Sequence, residues 1–192
     1  MEGIRSFIAI EIPQQLQTRI GELQKELKRS EADVRWVRPE NIHLTLKFLG
    51  TVSRESPEKI AEAIAPLVAA WKPFDLRIQG LGCFPSTRNP RVLWVGIERG
   101  KEEVCSLQKA IENKSAEAAI PEEIRPFQPH LTLGRVHSPK GKYGLTQAVE
   151  KLKDAEVGSF QASELFLFKS DLRPSGAVYT KLKTFPMKET LE

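Results

Sequence analysis

Cysteine is nearly missing from this 192-residue chain, and histidine is almost as scarce: there are two of the first and three of the second. Cys83 and Cys105 stand far apart, with no metal-binding or redox spacing. That argues against a structural disulfide or a thiolate centre and predicts two reduced thiols in a cytoplasmic protein. Cys83 falls in a turn-rich stretch, where an exposed thiol is expected. No apolar run is long enough to cross a bilayer, and the first residues do not read as a secretory leader, so no membrane association is expected. Low-complexity segments and linkers are also missing, which predicts one domain over residues 1–192. Charge is close to balanced. The 29 basic and 25 acidic residues leave a net +4, which admits a phosphate-bearing partner without requiring one.

Two of the three histidines open the same tetrapeptide, His43-Leu44-Thr45-Leu46 and His130-Leu131-Thr132-Leu133. At ordinary frequencies of Leu and Thr, a chance recurrence among three histidines is on the order of one in a thousand. Each copy alternates polar and apolar, the pattern of a half-buried strand with His and Thr on the open face. His and Thr at i and i+2 then project side by side, about 7 Å apart along the strand. Two such strands facing a pocket offer two imidazoles and two hydroxyls, a set suited to a compact anion and to proton transfer near neutral pH. A lone strand histidine is more often structural. A purely structural repeat, however, has no need to keep His and Thr on the polar face. A metal site is not expected: neither motif contains Asp, Glu or Cys, and His137, in the turn-like His137-Ser138-Pro139, reads as an exposed loop residue.

Period-two patterning predicts strands at Ser6–Ile12, Val34–Val37, Phe74–Ile78, Arg91–Ile97, Phe160–Phe168 and Ala177–Leu182. Helical spacing marks Leu16, Ile20, Leu23 and Leu27 behind Pro13, then Ile60, Ile64, Leu67 and Trp71 behind Ser56-Pro57-Glu58. Val104, Leu107 and Ile111 mark a third helix, and Leu145–Leu152 a fourth. Pro66 inside the second predicts a kink or an early end. Gly80–Pro90 reads as a long loop, and Pro121, Pro126 and Pro129 punctuate an irregular approach to the second motif. Equivalent motifs half a chain apart, flanked by helices, are the signature of an internal duplication. The fold class expected is α+β: two pseudo-symmetric lobes of antiparallel sheet with outer helices and an active-site cleft between them.

Paired His-x-Thr-x motifs on two similar lobes resemble the two-histidine phosphoesterase superfamily. The runs His43-Leu-Thr-Leu-Lys-Phe-Leu-Gly50 and His130-Leu-Thr-Leu-Gly-Arg135 look like its branch of RNA 2′,3′-cyclic phosphodiesterases, also called 2′-5′ RNA ligases. Arg5-Ser-Phe-Ile-Ala-Ile10, the Gly80–Pro85 stretch and Ser170–Tyr179 extend the resemblance over nearly the whole chain. It implies metal-free, cofactor-free opening of a terminal 2′,3′-cyclic phosphate to a 2′-phosphate. His43 would be the proton donor to the 3′ oxygen and His130 the proton acceptor from water. Thr45 and Thr132 would donate to the non-bridging oxygens, and Arg135 would hold the phosphate. The implied partner is an RNA end carrying a cyclic phosphate, and the protein is expected to act as a monomer. The residues themselves do not say which histidine takes which role, because the pseudo-two-fold makes them near equivalent.

Strand parity raises a difficulty for Arg135. At i+5 from His130 it belongs on the opposite face of a regular strand, unless a bulge near Gly134 re-aims it. Lys47 has the parity to stand beside His43 or to be a rim charge. A nucleotide end needs a stacking surface; Phe84 is a candidate, as a platform or as a loop anchor. Tyr179 either lines the cleft or packs in its strand, and Arg88 and Arg91 are candidates for the RNA backbone. Two alternatives stay open: a cyclic phosphodiesterase for a small nucleotide, and a nucleotide- or RNA-binding module without turnover.

Overall fold

The computed structural model describes residues 3–53, 55–118, 120–174 and 176–188; the extremes of the expected domain, 1–2 and 189–192, lie outside them. The elements run β1 (Ile4–Glu11), α1 (Gln14–Lys28), β2 (Val34–Trp36), β3 (His43–Val52), α2 (Ser56–Ala69), β4 (Phe74–Ser86), β5 (Asn89–Arg99), α3 (Lys101–Glu117), β6 (His130–Val136), α4 (Lys142–Lys151), β7 (Glu156–Ala162), β8 (Glu164–Arg173) and β9 (Gly176–Pro186). Every strand pairing is antiparallel, in the order β7-β4-β5-β6-β3-β1-β8-β9, with β2 added against β6. Read outward from the centre, β3-β1-β8-β9 mirrors β6-β5-β4-β7. The helices follow the same symmetry: α1 packs on α4, and α2 on α3. The expected α+β class with two antiparallel lobes is the architecture the chain adopts.

The core lies between the sheet and the helices. Leu16, Ile20, Leu23 and Leu27 of α1 are buried against it, as are Ile60, Ile64 and Val68 of α2. Each such side chain contributes about 1.5–3 kcal/mol by leaving water. β1 is buried on both faces. Ile8 and Ile10 point into this core, while Phe7 and Ala9 join Phe166 and Phe168 in a smaller apolar cluster on the other side of the sheet. α2 continues through Pro66, which is exposed, so the carbonyl left without its helical donor faces water.

Two expected boundaries are corrected. Gly80–Pro90 is not a long loop: β4 and β5 run almost to their tip, paired from Arg77↔Arg99 to Ser86↔Asn89. Gly80, at φ +88°, takes up a register shift that would strain other residues. Gly82 leaves room for the Trp94 ring, which a Cβ would meet at 2.3 Å. Turn-forming composition here serves close packing within a hairpin. Cys83 is consequently buried in β4 rather than exposed. Phe160–Phe168 is two strands, not one. Ser163 alone separates β7 on one edge of the sheet from β8 on the other wing, so the sheet curls until its two wings meet there.

Candidate active site

β3 and β6 meet at one register pair, Leu44↔Leu131. Both leucines are fully buried in the core, so the residues on either side of each turn to the opposite face. His43 therefore stands across from Thr132, and Thr45 across from His130. His43 and His130 are thus diagonal neighbours across the seam, positions that a regular sheet sets about 7–8 Å apart.

Each strand then bulges at the same place. Opposite β1, residues pair as Ala9↔Thr45 and Ile8↔Lys47, leaving Leu46 over. Opposite β5, they pair as Trp94↔Thr132 and Leu93↔Gly134, leaving Leu133 over. One extra residue reverses the alternation beyond it. Arg135 is thereby re-aimed to the histidine face, opposite Val92 and in line with Thr132 and Trp94. The same reversal takes Lys47 away from His43. Lys47 is 3% exposed on the core side, ion-paired with Glu112 of α3 and donating to the Pro121 carbonyl at 2.7 Å. Phe48 takes the cleft position that Arg135 holds in the other lobe. Around the second bulge, the Leu133 carbonyl accepts from Val37 N–H at 2.9 Å and from the buried Gln24 amide at 2.9 Å, so the irregular backbone is hydrogen-bonded.

The two rings are held alike. His43 Nδ1 lies 2.8 Å from the Asn41 carbonyl, and His130 Nδ1 lies 2.6 Å from the Gln128 carbonyl. A carbonyl oxygen only accepts, so each Nδ1 carries its proton and each Nε2 is left for chemistry. His43 stacks on Phe7 at 4.5 Å, with Tyr179 edge-on at 5.2 Å. His130 meets Phe84 edge-on at 5.0 Å, and Phe84 in turn lies 5.2 Å from Trp94.

Burial lowers the pKa of both imidazoles. His43 falls from 6.5 to about 4 through burial, against smaller opposing effects of the Asn41 carbonyl and Glu11. His130 is lowered by burial and also by Arg135, with the Gln128 carbonyl opposing. Burial raises the Tyr179 phenol, and the charges of Arg5 and Arg135 pull it back.

A histidine whose folded pKa lies below its free value favours the fold in its neutral form. That contribution is complete above pH 6.5 and is lost as pH falls through about 4. His43 alone is expected to cost roughly 2–3 kcal/mol of stability between pH 7 and pH 4. Urea unfolding of wild type and His43→Gln across that range checks this. The difference between the two curves should grow in favour of the variant on acidification, and parallel curves would contradict it.

Sequence reasoning missed Phe7, Glu11, Phe48, Trp94 and Lys181. Glu11 pairs with His43 in register, and its carboxylate accepts from Lys181 at 2.6 Å. The alternation of β1 does set Phe7, Ala9 and Glu11 apart from Ile8, Ile10 and Ile12. Which strand that face meets is not written locally. His137 is exposed, as expected, and its N–H donates to the Asp33 carbonyl. Arg88 and Arg91 are exposed around the β4–β5 tip. Among the described residues, no group of three or more His, Cys, Asp or Glu is placed to hold a metal ion. No described helix is long and apolar enough to cross a membrane.

A curled antiparallel sheet with one His-x-Thr strand from each lobe at its seam is the architecture of the two-histidine phosphoesterases. The model of the family described as LigT like Phosphoesterase matches the chain twice, over residues 10–94 and 95–179. The chain belongs to that family. It is 35% identical to the RNA 2′,3′-cyclic phosphodiesterase of Methanothermobacter thermautotrophicus, over 95% of this chain and 98% of the relative. It is 33% identical to the enzyme of the same name from Methanocaldococcus jannaschii, over 94% and 99%. The crystal structure of Escherichia coli LigT complexed with 3′-AMP superposes with a TM-score of 0.79 at 26% identity, over 98% of this chain and all of that one.

Proposed function

We propose that this chain hydrolyses RNA 2′,3′-cyclic phosphate ends to 2′-phosphate ends, with His43 and His130 as the acid and base. The observation that carries the reading is the diagonal of two imidazoles, each with Nδ1–H fixed on the carbonyl two residues before it and Nε2 free. His130 Nε2 takes a proton from water as its oxygen attacks phosphorus. His43 Nε2 gives a proton to the departing 3′ oxygen, and the P–O3′ bond breaks while P–O2′ stays. Thr45 and Thr132 donate to the non-bridging oxygens, where negative charge grows, and Arg135 pairs with the same group.

The lobes differ in the charges set beside each ring, although burial, the larger effect, lowers both imidazoles and takes His43 to about 4. Glu11 stands opposite His43 and supports its cationic form. Its counterpart opposite His130 is Gly96, and His130 instead has Arg135, which supports the neutral form. An anionic substrate adds to the effect of Glu11. The chain is read as a cytoplasmic monomer that uses no metal or cofactor. Ring opening by a 5′-hydroxyl in place of water, which forms the P–O5′ bond of a 2′-5′ linkage as P–O3′ breaks, is a minor activity because water is the abundant acceptor.

An oligoribonucleotide ending in a 2′,3′-cyclic phosphate, incubated in chelator, is expected to give a 2′-phosphate end. A 3′-phosphate product, or activity that returns only with added metal, overturns the reading. A kcat/KM that is no higher on the oligonucleotide than on a cyclic mononucleotide moves the substrate to the small-nucleotide class.

A further inference from the structure

We infer that Arg35 binds the phosphodiester on the 5′ side of the terminal nucleotide, an assignment that rests on the proposed action at RNA ends. β2 and β3 follow one another along the same flank of β6. Val34, Arg35 and Trp36 pair with Val136, Arg135 and Gly134, the Val37 N–H donates to the Leu133 carbonyl, and Leu44 pairs with Leu131. Val34 and Trp36 pack against the main core, so Arg35 between them turns to the cleft face. Directly opposite it stands Arg135. The two histidine–threonine rows are therefore continued by a third: Thr45 faces His130, His43 faces Thr132, and Arg35 faces Arg135.

Residues directly opposite in an antiparallel pair have Cα atoms about 4.5–5.5 Å apart, and like charges placed so are destabilising. Among the described residues neither guanidinium has an ion pair or a hydrogen bond to relieve this, and both side chains are exposed. Bound anions relieve it. The chemistry gives the direction. The departing 3′ oxygen lies on the His43 side and the attacking water on the β6 side. The ribose, and whatever its 5′ carbon carries, then lies over the β2–β3 column. Arg135 belongs to the β6 column and meets the cyclic phosphate; Arg35 is the cation of the other column. The two free oxygens of a phosphodiester suit the planar fork of a guanidinium. Phosphate contacts carry no sequence information, so Arg35 selects an RNA end over a cyclic mononucleotide without choosing the base.

The test compares wild type, Arg35→Ala and Arg35→Lys on adenosine 2′,3′-cyclic phosphate with and without a methyl phosphodiester on its 5′ oxygen. Wild type should have the lower KM for the ester. Arg35→Ala should raise that KM about 5- to 50-fold, with kcat within about twofold, while the compound lacking the ester keeps its KM. Arg35→Lys should retain part of the preference, since the charge remains and the fork is lost. On a short oligoribonucleotide with a cyclic phosphate end, the slope of log KM against log salt should be shallower by about 0.7 in Arg35→Ala, one phosphate contact of a single strand. A melting curve should show Arg35→Ala at least as stable as wild type, because the position is exposed and a like-charge pair is removed. No preference for the ester in wild type, a preference that survives Arg35→Ala, an equal loss on both compounds or an unchanged salt slope overturns the assignment. Should wild type turn over neither compound, it is the hydrolytic reading that fails. Calorimetric titration with adenosine 2′-monophosphate and adenosine 2′,5′-bisphosphate then decides on Arg35. Tighter binding of the bisphosphate that is lost in Arg35→Ala supports the contact, and equal or absent binding of the two overturns it.

Discussion

His43→Ala and His130→Ala should each lower kcat by about 10²- to 10⁴-fold, the usual worth of a positioned general acid or base. Both rings take part in one proton-transfer sequence, so the double variant should be little worse than the poorer single one; residues that act as a unit are not additive. KM should move less than kcat, because Thr45, Thr132 and Arg135 still meet the phosphate. The fold is expected to survive. Each side chain lies in the cleft rather than the main core, and the neighbouring Leu44 and Leu131 are untouched. His43→Gln is the useful companion, since its amide N–H₂ can still donate to the Asn41 carbonyl while the side chain carries no proton to give at this pH. Single-turnover rates on a cyclic phosphate substrate measure the effect. A variant within tenfold of wild type would remove that histidine from the chemistry.

Glu112→Ala is expected to cost about 3–5 kcal/mol of folding stability, the penalty for stranding a buried charge. Lys47 is almost fully enclosed, and its ammonium has Glu112 as counter-charge. The same carboxylate accepts the Glu123 N–H at 2.9 Å and the Gln108 amide at 3.2 Å, while Lys47 donates to Pro121. Loss of Glu112 therefore also releases the proline-punctuated segment that delivers the chain to His130. Against a total stability of about 5–15 kcal/mol this is a large fraction. The paired replacement Lys47→Met with Glu112→Leu should recover most of the loss, because an apolar pair of similar volume carries no desolvation penalty. Urea unfolding gives all three values. A Glu112→Ala cost below about 1 kcal/mol would mean that Lys47 finds water.

The histidine strands were legible because their information is local. The period-two pattern names the face, and the repeated tetrapeptide names the partner. The α1 and α2 stripes were legible for the same reason, since Leu16–Leu27 and Ile60–Ile64 carry their own spacing. What the sequence hid depends on the neighbour. A bulge is one residue too many relative to another strand, so Leu46 and Leu133 look ordinary until β1 and β5 are laid beside them. Parity alone therefore puts Lys47 beside His43 or at the rim, and Phe48 on the apolar face with Leu44 and Leu46. The Arg135 difficulty marked the right place from parity alone. The break at Ser163 was invisible because the apolar run continues across it, although β7 and β8 join opposite wings. Gly80 and Gly82 read as turn residues when the close approach of Trp94 is what one of them serves.

The seam at Leu44↔Leu131 has the geometry of an isologous contact, the kind found on the axis of a two-fold homodimer: a residue meets its own counterpart, and complementarity on one side guarantees it on the other. In a true homodimer every change is made twice. Glu11 could not then stand opposite one imidazole while Gly96 stands opposite the other, nor could Phe48 answer Arg135 across the axis. Covalent fusion of the halves lifts that constraint. Two rings with the same hydrogen bond and the same hydroxyl neighbour can thus be given opposite electrostatic surroundings, and a symmetric cleft acquires a direction.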